Sequence, residues 1–284
     1  MTLSIRQIKS RIRGIQNVNK LTHAMEMISI SKLRPAQNQL IASRQYFLKI
    51  DALLKNLLSD DSRTIVHPLI EERPVKQKIA ICLITSDTGL CGNYNRNIIR
   101  LAEEAMNKYE KEKILLFAVG RKGLNYFRKR GVKILQSYTE LNGRYSDEIT
   151  DKILKHLLDI FLSKEVDEVF IAYTYLESAS RHRSLIEKLL NIPQPPESSA
   201  GFILEPDINS VLGELIPVYL FNKLKFAILN AFTSEHSARA IAMGEATENA
   251  KELLENLVLL RNKLRQANIT KEIMEIVSSA EVLR

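Results

Sequence analysis

The chain has little of what makes a catalyst. Its 284 residues hold two cysteines and five histidines. Cys82 and Cys91 do not form a C-x-x-C pair, and no histidine stands at metal-ligand spacing from another ligand, so a metal or thiol-redox centre has no donor set. Neither G-x-G-x-x-G nor G-x-x-x-x-G-K-[ST] occurs, which removes the two commonest phosphate-cradling loops. No nucleophile–base pair and no paired carboxylates stand out. No apolar run approaches 18 residues, which argues against insertion into a membrane. Two cysteines without a secretory signal fit a reducing compartment.

Helix breakers are scarce at both ends. Of ten glycines, eight lie between Gly89 and Gly213, and of eight prolines, seven lie between Pro68 and Pro217. Breakers confined to the centre imply two long terminal helices flanking a globular insert. The N-terminal segment places apolar residues at Ile5, Ile8, Ile12 and Ile15, then, after one slipped step, at Val18, Leu21, Met25 and Ile28. The C-terminal segment runs Leu253, Leu257, Leu260, Leu264, Ala267, then Ile269, Ile273, Ile276, Ala280, Leu283. Both periods are near 3.5 residues, which reads as a coiled-coil seam with phase breaks. From Val218 to the C-terminus a single helix would run roughly 100 Å, well past the end of its shorter partner. Its end therefore calls for another protein around it. Pro35 interrupts the N-terminal helical pattern, which either ends and restarts there or bends; a bend is the reading favoured.

The middle alternates strand and helix. Lys78–Thr85, Ile114–Val119 and Val169–Tyr175 are short, β-branched apolar runs, and Val132–Leu135 is a weaker one. Between them lie helical stretches from about Asn95 to Lys111, from Gly120 to about Arg130, and from an N-cap at Ser146 with Ile149, Ile153, Leu157 and Ile160 on one face. This order predicts an α/β fold with a parallel, doubly wound, Rossmann-like sheet. Arg181-His182-Arg183 reads as a solvated loop, and Pro193–Pro206 as the hinge into the C-terminal helix. The domain boundaries are 1–60 for the N-terminal coiled-coil helix, 75–200 for the α/β domain and 208–284 for the C-terminal helix. Such sheets often hold nucleotides at the carboxyl ends of their strands. Here the only candidate loop is Gly89–Gly92, and no acidic residue follows the Ile114–Val119 strand to hold a ribose, so its glycines read as turn formers.

Charge is concentrated at one end. Ten Lys/Arg against three Asp/Glu up to Asp60 put about +7 of the net +8 on the N-terminal helix. A basic helix suits nucleic acid or an anionic membrane. With only Tyr46 and Phe47 as aromatics and no nucleic-acid fold signature, an acidic protein partner fits at least as well.

Three stretches resemble one family. Asn17-Val-Asn-Lys-Leu-Thr-His-Ala-Met-Glu-Met27, with Ser31-Lys-Leu-Arg34, is similar to the N-terminal signature of the gamma subunit of F-type ATP synthases. Thr85-Ser-Asp-Thr-Gly-Leu-Cys-Gly92 resembles that family's central loop. Ser234-Glu-His-Ser-Ala-Arg-Ala-Ile-Ala-Met-Gly-Glu-Ala-Thr-Glu-Asn249 and Arg265-Gln-Ala-Asn-Ile-Thr-Lys-Glu-Ile-Met-Glu-Ile-Val277 resemble its C-terminal signature. The match spans essentially the whole chain in the family's order.

The resemblance implies a central rotor stalk: an antiparallel coiled coil inside a ring of three alpha and three beta subunits, with the α/β domain outside near the membrane. The foot would bind the epsilon subunit and the ring of c subunits, and the chemistry would stay in beta, with no catalytic, cofactor or metal-binding residue here. By motif, Arg239, Gln266 and Thr270 match polar contacts to a beta loop. Met25, with Lys20 and Lys32 nearby, and Cys91 match positions close to beta's acidic lever. Thr88 stands where the family usually has arginine, and Ile28-Ser29-Ile30 replaces a run of small residues. No targeting segment precedes Leu3, which suggests a bacterial source and a peripheral place on the cytoplasmic side of the inner membrane. Two other readings compete: a Rossmann-like enzyme with a dimerisation arm, which would bind nucleotide tightly, and a basic coiled-coil adaptor, whose binding would fall steeply with salt.

Overall fold

The computed structural model describes residues 4–59, 67–71, 73, 78–178, 181–193 and 207–282. Helix α1 (Ile5–Leu58) and helix α5 (Ile208–Val282) enclose strands β1 (Ile79–Ile84), β2 (Ile114–Val119), β3 (Lys133–Tyr138), β4 (Glu168–Leu176) and β5 (His182–Leu190) and helices α2 (Tyr94–Met106), α3 (Arg121–Arg128) and α4 (Asp147–Leu162). The chain divides into two compact units, one of Met1–Ser29 with Ala240–Arg284, the other of Ile30–Arg239. Both terminal helices contribute to each.

In the larger unit the sheet runs in the order β3-β2-β1-β4-β5. β1 pairs in parallel with β2 and β4, and β2 with β3. Side chains alternate between two apolar layers, as a pleated strand requires. Ala80, Cys82, Ile84, Phe117 and Ile171 face α4 (Ile153, Leu157, Phe161), the end of α1 and α5 (Leu212, Leu220, Ala227, Ala231). Ile79, Ile81, Leu83 and Leu116 face α2 (Ile98, Ala102, Met106) and Phe127 of α3. Helices on both faces make the sheet doubly wound. It is not wholly parallel, because β5 pairs antiparallel with β4 from Val169↔Leu190 to Leu176↔His182. Arg181-His182-Arg183 therefore leads into an edge strand rather than forming a loop. An edge has one solvated side and tolerates the charges His182, Arg183, Glu187 and Lys188, which mask the strand in the sequence.

α1 continues through Pro35 without restarting. α5 begins at Ile208, ten residues ahead of the proline-free stretch, and contains Pro217. Asp207 caps it, its carboxylate accepting from the backbone N–H groups of Asn209 (3.1 Å) and Ser210 (3.3 Å). Ser146 does stand at the start of α4 with extended backbone, but its hydroxyl makes no capping bond; its carbonyl accepts from Thr150 N–H at 3.3 Å. The predicted hinge Pro193–Pro206 lies, beyond Pro193, outside the described residues. One stretch of α5 has a mean hydropathy of 1.3 over 18 residues, yet 61% of that window is buried inside the fold. It is a core helix, and two lysines, Lys223 and Lys225, interrupt its apolar run.

Within the smaller unit α1 and α5 run antiparallel. Asn19 donates to the Thr247 carbonyl (3.0 Å), and the Thr247 hydroxyl, with one proton to give, lies within hydrogen-bonding distance of both the Thr22 hydroxyl (2.9 Å) and the Met243 carbonyl (2.8 Å). Gly244 brings α5 close to Glu26, since a Cβ there would lie 3.2 Å from Oε1. The seam keeps one phase. On α1 a covered row runs Ile5, Ile8, Ile12, Ile15, Asn19, Thr22, Glu26 and Ser29, with Met25 half-buried beside it; on α5 one runs Ala240, Met243, Thr247, Ala250, Leu254, Leu257, Arg261 and Leu264, with Ala242, Gly244, Ala246, Val258 and Asn262 half-buried beside it. Both follow an uninterrupted 3-4 rhythm. The slip read from the sequence is corrected: polar side chains that satisfy one another occupy the seam, while Val18, Leu21 and Ile28 stand outside it, Leu21 being 61% exposed.

Candidate functional site

Three regions carry the residues singled out by sequence. The first lies at the carboxyl ends of β1 and β4, where the strand order reverses on either side of β1 and a doubly wound sheet opens its crevice. In this chain α5 fills that crevice. Tyr94 donates its hydroxyl to the Ala231 carbonyl (3.0 Å), Ser234 donates to the Thr174 carbonyl (3.2 Å), and Asn230 accepts from Leu176 N–H (3.3 Å). Thr85 closes the β1–β2 side. Its hydroxyl donates to the Val119 carbonyl (3.0 Å) and accepts from Gly123 N–H (2.9 Å). Gly120, at φ 94°, comes so close that a Cβ would sit 2.1 Å from the Thr85 carbonyl oxygen. The glycines serve backbone packing, with no cradle left for a phosphate.

The loop after β1 is tied down on every side. Asp87 accepts from Arg121 N–H (3.0 Å) and Asn142 N–H (2.8 Å). Ser86 N–H donates to Asn95 Oδ1 (3.0 Å), while Asn95 Nδ2 donates to Ser86 Oγ (2.7 Å) and Cys91 Sγ (3.1 Å). Arg239, from α5, donates through Nε to the Gly89 carbonyl (3.2 Å) and through Nη2 to the Thr88 carbonyl (3.2 Å), the Thr88 hydroxyl (2.9 Å) and Glu235 Oε1 (2.8 Å). Arg239 is only 7% exposed and Cys91 is buried, so in this chain both face inward. Thr88, standing in for the family's arginine, presents an acceptor to Arg239 instead of a second cation.

Burial governs the electrostatics here. It pushes the Cys91 thiol up, against the pull of Arg239, and raises the Glu235 carboxyl although Arg239 and Lys32 favour its charge. His236, also buried and beside Arg239 and Lys32, is pushed down to about 4. It is therefore neutral at pH 7, with Nε2 placed 3.0 Å from the Gly143 carbonyl as donor. Burial outweighs the pull of Arg239 on Cys91, and the hydrogen bonds of the cluster lock the loop in place. Among the described residues no three His, Cys, Asp or Glu side chains gather to hold a metal.

The second region is the outer face of α1 in the smaller unit. Met25 is half-buried and Lys20 exposed, between the exposed Leu21 and Ile28. Lys32 belongs to the larger unit. The third region is α5 beyond Leu264, where every described side chain up to Ser279 is exposed, including Gln266, Ile269, Thr270, Ile273 and Ile276. Thr270 donates only to the Gln266 backbone carbonyl (3.0 Å), leaving the Gln266 amide free of any described partner. The structure thus brings together Cys91 with Arg239 and Gln266 with Thr270. Sequence reasoning missed Glu235 and His236, whose signal was their place in the same signature as Arg239.

The chain thus holds an antiparallel helix pair and, in its larger unit, a doubly wound sheet whose switch-point crevice is occupied by its own helix α5. A family model described as ATP synthase matches residues 4–283. The chain is 40% identical over 283 residues to an ATP synthase gamma chain of Moorella thermoacetica and 39% over 281 residues to one of Desulfitobacterium hafniense, covering 99% of both partners in each comparison. Solved structures show the same fold. A chain of the Euglena gracilis mitochondrial ATP synthase (OSCP/F1/c-ring) aligns with TM-score 0.67 at 17% identity over 98% of this chain and 94% of that one. One from the central stalk/c-ring of the Tetrahymena thermophila enzyme gives 0.63 at 20% over 80% and 99%. The chain belongs to the ATP synthase gamma chain family.

Proposed function

We propose that this chain is the central rotor stalk of a bacterial F-type ATP synthase, carrying torque between a proton-driven membrane ring of c subunits and a catalytic ring of three alpha and three beta subunits, whose ATPase rate it sets. The observation that carries this is apolar surface left open on helices whose own seam is already full. Beyond Leu264, Ile269, Ile273 and Ile276 repeat at 4-3 spacing, Ile276 at 67% exposure. On α1, Leu21 and Ile28 do the same. Covering one such side chain is worth about 1.5–3 kcal/mol, so an apolar sleeve around these helices would be strongly favoured. The neighbours' settings, a rotor and a central stalk with its c-ring, support that arrangement.

Met25, Gln266 and Thr270 are the proposed contacts to the ring; Arg239 and Cys91, facing inward, would act on it only through the loop they hold. Alpha, beta, epsilon and c subunits are the partners, and nucleic acid is not. The site of action is the cytoplasmic face of the cell membrane, with the chain peripheral. Each unit charge crossing 100 mV delivers about 2.3 kcal/mol, and the stiffness of a coiled coil lets that energy pass as rotation. Mixing the chain with alpha and beta subunits from the same source, followed by gel filtration and an ATPase assay, tests the reading. Stoichiometric co-elution with activity that depends on this chain is expected, and impaired by Gln266→Leu with Thr270→Val. A folded chain that elutes alone and leaves activity unchanged would overturn it.

A further inference from the structure

A cleft of about 580 Å³ opens in the larger unit where α1, the start of α4 and α5 meet, a size that suits a small molecule. Ser43 and Tyr46 line it from α1, Lys225 from α5, Ser146 and Asp147 from the start of α4, and Tyr145 from just ahead of that helix. Its polar groups are mostly unused donors. Ser43 is 8% exposed, and its hydroxyl has no hydrogen-bond partner among the described residues, whereas a buried polar group normally finds one. Ser146 leaves α4, a helix of 16 residues, without a side-chain cap, so first-turn N–H groups remain to be met. Lys225 donates to Asp147 Oδ1 at 2.8 Å, and its ammonium has two further protons to give. The rings of Tyr145 and Phe221, 5.2 and 5.9 Å from Nζ, hold that ammonium in place. The nearby carboxylates are already engaged. Asp147 Oδ1 also accepts from the Tyr145 hydroxyl (2.5 Å), and Glu148 pairs with Lys152 (2.7 Å).

We propose that this cleft binds a small organic anion, with its carboxylate or phosphate held by Lys225, the Ser43 hydroxyl and the N-terminus of α4, and its aromatic body against Tyr46 and Tyr145. Free donors set beside carboxylates that already have partners select a ligand that only accepts hydrogen bonds. A charged acceptor gains most from them, because such bonds are the stronger kind and a helix N-terminus favours negative charge. Asp147 offsets much of the Lys225 charge, so the anion is held by converging donors rather than by net charge. The rest of the lining suits a flat apolar body: Tyr46 is 54% exposed and offers an open ring, and Ala42 and Leu229 complete the wall. The cleft is built wholly from the larger unit, so the proposal goes beyond the rotor reading and does not rest on it.

The full chain is titrated with para-fluorophenyl phosphate, para-fluorobenzoate and, as a neutral control, para-fluorobenzyl alcohol, each followed by fluorine NMR. Saturable broadening of one or both anions is expected, about tenfold tighter than any binding of the alcohol. The anion that binds more tightly tells a phosphate ligand from a carboxylate. Lys225→Met should weaken that binding by about tenfold and Ser43→Ala by about threefold. Asp147→Asn, which frees the third donor of Lys225 and removes a competing charge, should tighten it about threefold, a gain that a merely structural role would not give. Ala42→Trp, at an exposed position of α1, fills the cleft without entering the core and should abolish binding. Circular dichroism checks that each variant is folded. Absence of saturable binding to the parent chain, equal binding of the alcohol, or binding that survives both Lys225→Met and Ala42→Trp overturns the proposal. Binding that Asp147→Asn does not tighten removes Lys225 as the anion's partner and overturns it too.

Discussion

Lowering the pH from 7 to 4 should cost the α/β unit about 3 kcal/mol through His236 alone. Its ordinary pKa is 6.5, and burial with Arg239 and Lys32 nearby takes it to about 4 in the folded chain. Between those values the unfolded chain binds the proton and the folded chain refuses it. Stability contributed by the neutral ring is therefore complete above 6.5 and lost as pH falls toward 4. Its Nε2–H donates to the Gly143 carbonyl, a bond that a glutamine amide can imitate without titrating, so His236→Gln isolates the effect. Glu235 works in the opposite sense, since burial raises its pKa and acid favours its folded form. It is present in both proteins and drops out of their difference, as do His67 and His182. Urea unfolding at pH 4, 5, 6 and 7 measures this. The stability difference between variant and wild type should shift by about 3 kcal/mol in the variant's favour from pH 7 to pH 4. Parallel curves over that range would show that His236 is protonated without penalty and refute the reasoning.

Other outcomes follow from close contacts. Gly120→Ala should destabilise the α/β unit by more than about 3 kcal/mol or prevent its folding, because its Cβ would fall 2.1 Å from a carbonyl oxygen at φ 94°; thermal unfolding decides. Gly244→Ala should instead stabilise the helix pair by up to about 1 kcal/mol, since only the flexible Glu26 carboxylate stands near, at 3.2 Å; calorimetry would show the sign. Thr247→Val should cost about 0.5–1.5 kcal/mol by removing the hydroxyl link between the helices, although Thr22 keeps its bond to the Asn19 carbonyl, which helical circular dichroism in urea can follow. Both cysteines should react with a thiol reagent at pH 8 about 100-fold more slowly in the folded chain than in urea, because burial pushes Cys82 up to about 12 and raises Cys91 as well.

The parts of the fold most legible in the sequence were those whose burial is uniform. β1, β2 and β4 are central strands covered on both faces, so their apolar runs had no competing explanation. β5 escaped because an edge strand can carry charge on its open side. The coiled coil was visible but mis-phased. Following apolar letters leads to Val18, Leu21 and Ile28, whereas the seam runs through Asn19, Thr22 and Ser29, whose polar groups find partners across it or within their own helix. Gln266 and Thr270 came from a motif and do lie on open surface. Arg239 and Cys91 came the same way, yet their burial depends on a loop some 150 residues away from Arg239 in sequence, which no local pattern encodes.

The closure of the sheet's crevice by α5 has a consequence for how the chain is made. Tyr94 and its acceptor Ala231 are 137 residues apart, and Arg239 lies 151 from Thr88. At ordinary elongation rates of about 5–20 residues per second, the first strands leave the ribosome on the order of ten seconds before the helix that covers them. Through that interval Ala80, Cys82 and Ile84 lack part of their cover, so the nascent chain must wait, shielded by chaperones or by its own earlier helices. A gene truncated before α5 would then yield a sheet with one layer only partly covered, by α4 and the end of α1, and an affinity for other unfinished copies of itself.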